Sequence, residues 1–260
     1  MVLLFCSVIF FLLAKTTSVQ IYGVNAWFKP LKFAFSTCTY VWAMAWYCHY
    51  LRKFNITYFN TSIVLLLGFE IIYIAIQAGR GQLSHYNISN GFYSGMYALM
   101  ALAATAVTLY TAYVCILFFK NPLPHLPSYY LWSIRLGLVL FVLFSFEGFI
   151  MGSRLYHSVG AVNDNSNMFI VGWSKTVGDL RIAHFIGMHA LQILPILSYY
   201  ILKRTNLTVA VSTLYACLAV WTLIHALRGK PMIKERNYIQ SAHQLHNDVK
   251  KKSTHQINKD

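Results

Sequence analysis

Residues Phe92–Phe119 read FYSGMYALMALAATAVTLYTAYVCILFF, 28 residues without one charged side chain. A helix rises about 1.5 Å per residue and the hydrocarbon of a bilayer is about 30 Å thick, so this run is long enough to cross it. Working outward, five more segments meet the same requirement: Leu31 to Leu51, Thr61 to Gly79, Tyr129 to Gly152, Ile182 to Leu202 and Leu207 to Leu227. Val2 to Ala14 is shorter and ends at Lys15, whose ammonium can snorkel to an interface. It has no basic n-region and no convincing small-x-small cleavage site, so it reads as a first span. The composition agrees. Of 260 residues 57% are apolar and 11% charged, with mean hydropathy +0.51, whereas a soluble domain carries about 25% charged residues. Neither a soluble globular protein nor a disordered chain has these values. The fold class expected is all-α, a polytopic membrane bundle of about seven helices.

Lys and Arg number 21 against 7 acids, a net +14. On a soluble chain that would suggest nucleic acid, but here the bases sit singly between apolar runs, which is membrane-flank placement. No specific nucleic-acid partner is expected; membrane lipid is, and a protein partner stays unnamed. With seven spans, the loops after spans one, three and five hold Lys15, Lys29, Lys32, Arg80, Arg154, Lys175 and Arg181. The other loops hold Arg52, Lys53, Lys120, Lys203 and Arg204. With Arg228, Lys230, Lys234 and Arg236 beyond the last span, the balance places the N-terminus outside and the C-terminus inside. Residues 1–228 form one membrane domain, and 229–260 form a basic cytoplasmic tail expected to be disordered. The cysteines (Cys6, Cys38, Cys48, Cys115, Cys217) lie in apolar runs without CxxC spacing, so neither a disulfide framework nor a zinc knuckle is indicated.

The inner connections are unlike the outer ones. RKFNITYFNT, KNPLPHLPSYY and KRTN are plain connectors, whereas AWFKPLKF, QAGRGQLSHYN, HSVGAVNDN and GWSKTVGDLR are dense in Gly, His, Arg, Asp and Trp. Glu70, Tyr73, Gln77 and Arg80 recur at spacings of 3, 4 and 3 and so share one helix face. Glu70 lies about 15 Å below Arg80, near the middle of the membrane. A charge at that depth costs at least about 2.5 kcal/mol, so it needs a partner or a wet cavity. Glu147 and Arg154, seven apart, likewise share a face. Asp179 suits a helix N-cap as well as it suits catalysis. Arg181 pairs in register with His184, and His189 with Gln192, while His184 and His189 are about 140° apart and form no HxxxH clip. Gly187 allows close helix approach and Pro195 a kink.

Three functional readings follow. The first is a metal-dependent enzyme on a lipid or other amphipathic substrate, with His85, His157, His184 and His189 as ligands. Glu70, Glu147 and Asp179 would be its acid–base groups, and Gln77, Arg80, Arg181 and Gln192 its substrate contacts. Zinc or iron suits such a set; haem suits it less, because His189 and His225 would sit at about 12 and 4.5 Å depth. The second is a proton-coupled transporter or sensor in which Glu70 and Glu147 titrate and Arg80 and Arg181 hold an anion. The third is an assembly factor whose inner loops dock a partner.

On WFKPLKF, QAGRGQLSHYN, HSVG and GWSKTVGDLRIAHFIGMHALQ the chain resembles an uncharacterised family of bacterial multi-span integral membrane proteins. The resemblance implies a helical bundle in the bacterial inner membrane and carries no established activity. A comparison with the membrane hydrolases related to alkaline ceramidases fails in detail, since their last-span HxxxH is replaced here by His225 alone.

Overall fold

The computed structural model describes residues 1–52, 54–160, 168 and 171–233. Seven α-helices account for nearly all of the regular structure: α1 (Val2–Thr16), α2 (Phe28–His49), α3 (Ile56–Gly79), α4 (Gly91–Lys120), α5 (Ser128–Arg154), α6 (Leu180–Leu197) and α7 (Thr205–Leu227). Five of them are long and apolar enough to cross a membrane: α3, α4, α5, α7, and α6 with its π-helical continuation Ser198–Leu202. α1 has 15 residues and is apolar up to Ala14 apart from Ser7, and α2 has 22 but carries Lys29 and Lys32 in its first turns. The protein is thus an all-α, multi-pass membrane protein. The basic tail from 234 onward and the residues 161–167 lie outside the described residues.

Three helices, α3, α4 and α6, begin where a side chain satisfies an orphan amide of the first turn. Asn55 accepts from the Tyr58 N–H at α3, Asn90 from the Tyr93 N–H at α4, and Asp179 from the Arg181 N–H at α6. The Asn55 cap extends α3 by five residues beyond the apolar run, because capping rather than hydropathy sets a helix end.

Two short antiparallel pairs, unanticipated from hydropathy, close one end of the bundle. β1 (Gln20–Ile21) pairs with β2 (Val24–Asn25), and β3 (Ser158–Val159) pairs with β4 (Gly178–Asp179). We call this the hairpin end. α2, α4 and α6 start there, and α1, α3, α5 and α7 finish there. Its connections lock together: a Cβ on Gly178 would stand 2.0 Å from the Ala226 carbonyl oxygen, so only glycine lets β4 lie against α7.

α6 is the central helix, packed chiefly on α5. A Cβ on Gly187 would stand 1.9 Å from Phe144 Cγ, and one on Gly137 2.9 Å from the Ala190 carbonyl oxygen, so each helix yields to the other at a glycine. Pro195 has no N–H for the Leu191 carbonyl four residues earlier. The Tyr47 hydroxyl of α2 takes that place, donating to Leu191 O at 2.6 Å. The largest apolar core, with Tyr40, Met44, Phe118, Ile134, Leu138 and Leu191, fills the half of the bundle away from the hairpins. The buried acidic groups, Glu70, Glu147 and Asp179, lie in the other half, whereas the buried polar residues of the far half are serines and threonines.

Candidate functional site

α6 places Asp179 and Arg181 at the hairpin end, and they form a closed clamp. The guanidinium donates from Nε to Asp179 Oδ1 at 2.9 Å and from NH2 to Oδ2 at 2.6 Å. The same Oδ2 accepts the Ser174 N–H at 3.0 Å, while Oδ1 accepts the Arg181 N–H at 3.1 Å. Arg181 NH2 also donates to the Gly172 carbonyl. Burial by itself would raise the Asp179 carboxyl, but the bound guanidinium outweighs it and holds the group below the usual carboxylate range. Every partner Asp179 needs is present, so it serves as both N-cap and counter-ion.

α2 adds two cations that motif reading did not single out. Lys32 donates from Nζ to the Val171 carbonyl at 2.8 Å. Its ammonium and the Arg181 guanidinium lie 3.7 and 3.9 Å from the point where a Cβ on Gly172 would stand, so they face each other across that glycine. Lys29, one turn earlier, has no hydrogen-bond partner for its ammonium among the described residues. Two lysines within the first two turns of a helix oppose the positive end of its dipole, and α2 has no acidic residue in its first turn and no side-chain cap. That cost was the legible signal: KPLK at a helix start is out of place unless an anion balances it.

Two histidines border this group of charges. His157 bonds Ser158 Oγ through Nδ1 at 2.9 Å. Burial first, then Arg181, Lys29 and Lys32 against the opposing Asp179, depress its pKa to about 4. His85 bonds Ser84 Oγ at 3.2 Å and packs on Phe33, and burial with the neighbouring Lys29 holds it well below the usual imidazole range. Both are neutral at pH 7. The described basic groups here, Lys29, Lys32 and Arg181, face Asp179 as the one acidic group, which makes this a basic basin.

Below the basin, α3 carries the predicted stripe. Glu70, Tyr73 and Gln77 are 7%, 5% and 1% exposed, whereas Arg80 at the helix end is exposed and stands away from the other three. Glu70 Oε1, the Tyr73 hydroxyl and Gln77 Oε1 have no hydrogen-bond partner among the described residues. On α5, Glu147 is 7% exposed and both its oxygens lack a partner. His184 Nδ1 is 3.2 Å from Glu147 Oε2, yet the same nitrogen is 2.7 Å from the Phe144 carbonyl oxygen. A carbonyl only accepts, so the Nδ1 proton belongs to Phe144 O and the carboxylate is left without a donor.

The four histidines expected to share a metal are each tied elsewhere: His85 to Ser84, His157 to Ser158, His184 to Phe144 O, and His189 to Gln192 Oε1 at 3.3 Å. Among the described residues no three His, Cys, Asp or Glu side chains come close enough to hold one ion. The Gln192 contact follows the predicted helical register. No family model, curated protein or solved structure matches the chain.

Proposed function

We propose that this protein receives an anionic molecule, a phosphorylated or carboxylated amphiphile or the free anion, in the basin of Lys29, Lys32 and Arg181. The carrying observation is the charge imbalance. Three cations and the positive end of α2 meet a single carboxylate already committed to Arg181 and to the α6 cap. The apolar core of the far half supports a site entered from the hairpin end only, which fits a sensor or enzyme better than an open conduit. We take the hairpin end as cytoplasmic, in a bacterial inner membrane with all seven helices as spans, because the basic flanking residues gather there.

The test is calorimetry on the purified full chain in detergent at low salt with inorganic phosphate and sulfate. Binding should be lost in the Lys29→Gln/Lys32→Gln double variant. A wild-type chain that takes up neither anion, or a double variant that binds both as tightly, overturns the reading.

Metal-dependent chemistry on the same bound molecule is a second reading, favoured by two partnerless carboxylates, Glu70 and Glu147, in the same half of the bundle. Elemental analysis should then find about one metal per chain, lost in His184→Ala; equal metal content in both proteins rejects His184 as a ligand.

A further inference from the structure

The anion basin does not explain Glu147. A buried carboxylate with no donor costs free energy unless something supplies one, and His184 does not. Glycines beside Glu147 let neighbouring helices come close. Gly148 and Gly152 follow it on α5 at a spacing of four. A Cβ on Gly148 would meet His184 Cε1 at 3.4 Å, and one on Gly152 would meet the Tyr97 hydroxyl at 3.3 Å. His184 from α6 and Tyr97 from α4 thus pack against α5 one turn apart along the glycine face next to Glu147.

Aromatic faces crowd the same place. Tyr86 and Tyr97 have centroids 5.6 Å apart, and His85 lies 6.2 and 6.4 Å from them. Tyr86 packs on the cluster of Met151, one turn beyond Glu147 on α5, and Leu180, next to Arg181 on α6. Ring faces beside a carboxylate attract an ammonium, the carboxylate by charge and the rings by their quadrupoles. The anion basin is next door: Arg181 precedes His184 by three residues, about 4.5 Å of helical rise.

We propose, resting on the anion reading above, that the ligand is a zwitterion. Its phosphate lies on Lys29, Lys32 and Arg181, and its ammonium, on a two-carbon arm, reaches Glu147 beside the Tyr86–Tyr97 ring pair. An aminoalkyl phosphate has this chemistry, whether as a lipid headgroup or as a free metabolite.

The experiment compares probes on the purified full chain. O-Phosphoethanolamine and ethyl phosphate, which has the same phosphate and carbon arm but no amine, are titrated by calorimetry. The inference expects at least a tenfold preference for O-phosphoethanolamine in the wild type, falling below twofold in Glu147→Gln. Equal affinities in the wild type overturn the zwitterion and leave the anion reading standing, whereas no binding of either probe overturns the anion reading as well. A preference that survives in Glu147→Gln removes Glu147 from the site. The wild-type comparison needs no variant to fold. Native mass spectrometry from mixed phosphatidylethanolamine and phosphatidylglycerol nanodiscs separates the sources: retained phosphatidylethanolamine assigns the site to a lipid headgroup, and soluble binding without lipid retention assigns it to a free molecule.

Discussion

The Asp179–Arg181 clamp and the α3 stripe are both buried polar sets in one half of the bundle, yet they are finished to different degrees. In the clamp each carboxylate oxygen accepts two hydrogen bonds, one from the guanidinium and one from a backbone amide. In the stripe, Glu70, Tyr73 and Gln77 present oxygens that nothing in the described chain meets. A satisfied set holds a loop and a helix start in place, while an unsatisfied one persists only where some other requirement keeps it. Stability and function are therefore expected to separate between the two.

The largest effect should come from breaking the clamp. Asp179→Ala leaves Arg181 without its counter-ion, frees the Ser174 N–H and uncaps α6, for a loss of about 3–5 kcal/mol. Thermal unfolding in detergent measures it, and a melting temperature equal to wild type would show the clamp to be ornamental.

Acid should loosen the same end. The folded His157 pKa of about 4 lies below the usual 6.5, so the unfolded chain takes up its proton first. Stability is fully present above about pH 6.5 and declines as pH falls toward 4, by at most about 1.4 kcal/mol per unit for this group. His85, displaced in the same direction, adds to the slope. Unfolding midpoints between pH 7 and pH 4.5 in wild type and His157→Gln test it: the variant should show a shallower slope, and identical slopes would assign the acid sensitivity elsewhere.

The stripe predicts the opposite sign. Glu70→Leu replaces a partnerless carboxyl by an apolar side chain, and its stability should be unchanged or raised by about 1 kcal/mol while ligand handling suffers. Clear destabilisation would mean that Glu70 has a structural partner after all. The smallest effect belongs to Arg80, which is exposed at the α3 end: Arg80→Ala should lie within about 0.5 kcal/mol of wild type in stability. A phosphate affinity that fell several-fold in Arg80→Ala would extend the basin outward.

Much of this was legible along the chain because a membrane imposes length and polarity on each helix separately. The register of Glu70, Tyr73 and Gln77, the capping by Asp179 and the close approach at Gly187 are all local consequences of helical geometry. Arg80 differs from the other three because it is the C-cap of α3, where the helix ends and the side chain is exposed. Lys29 and Lys32 were readable only as flanking charges. Their partnership with Arg181 spans about 150 residues of sequence and depends on how the loop at Val171 and Gly172 is brought against α2.

What the sequence by itself determined is the set of apolar helices and the face on which each carries its polar residues, since both follow from bilayer thickness and the 3.6-residue turn. What only the tertiary structure decided is which polar groups are satisfied. A hydrogen bond is a matter of one or two ångströms between elements distant in the chain, and so it alone distinguishes the clamp from the carboxylates of Glu70 and Glu147.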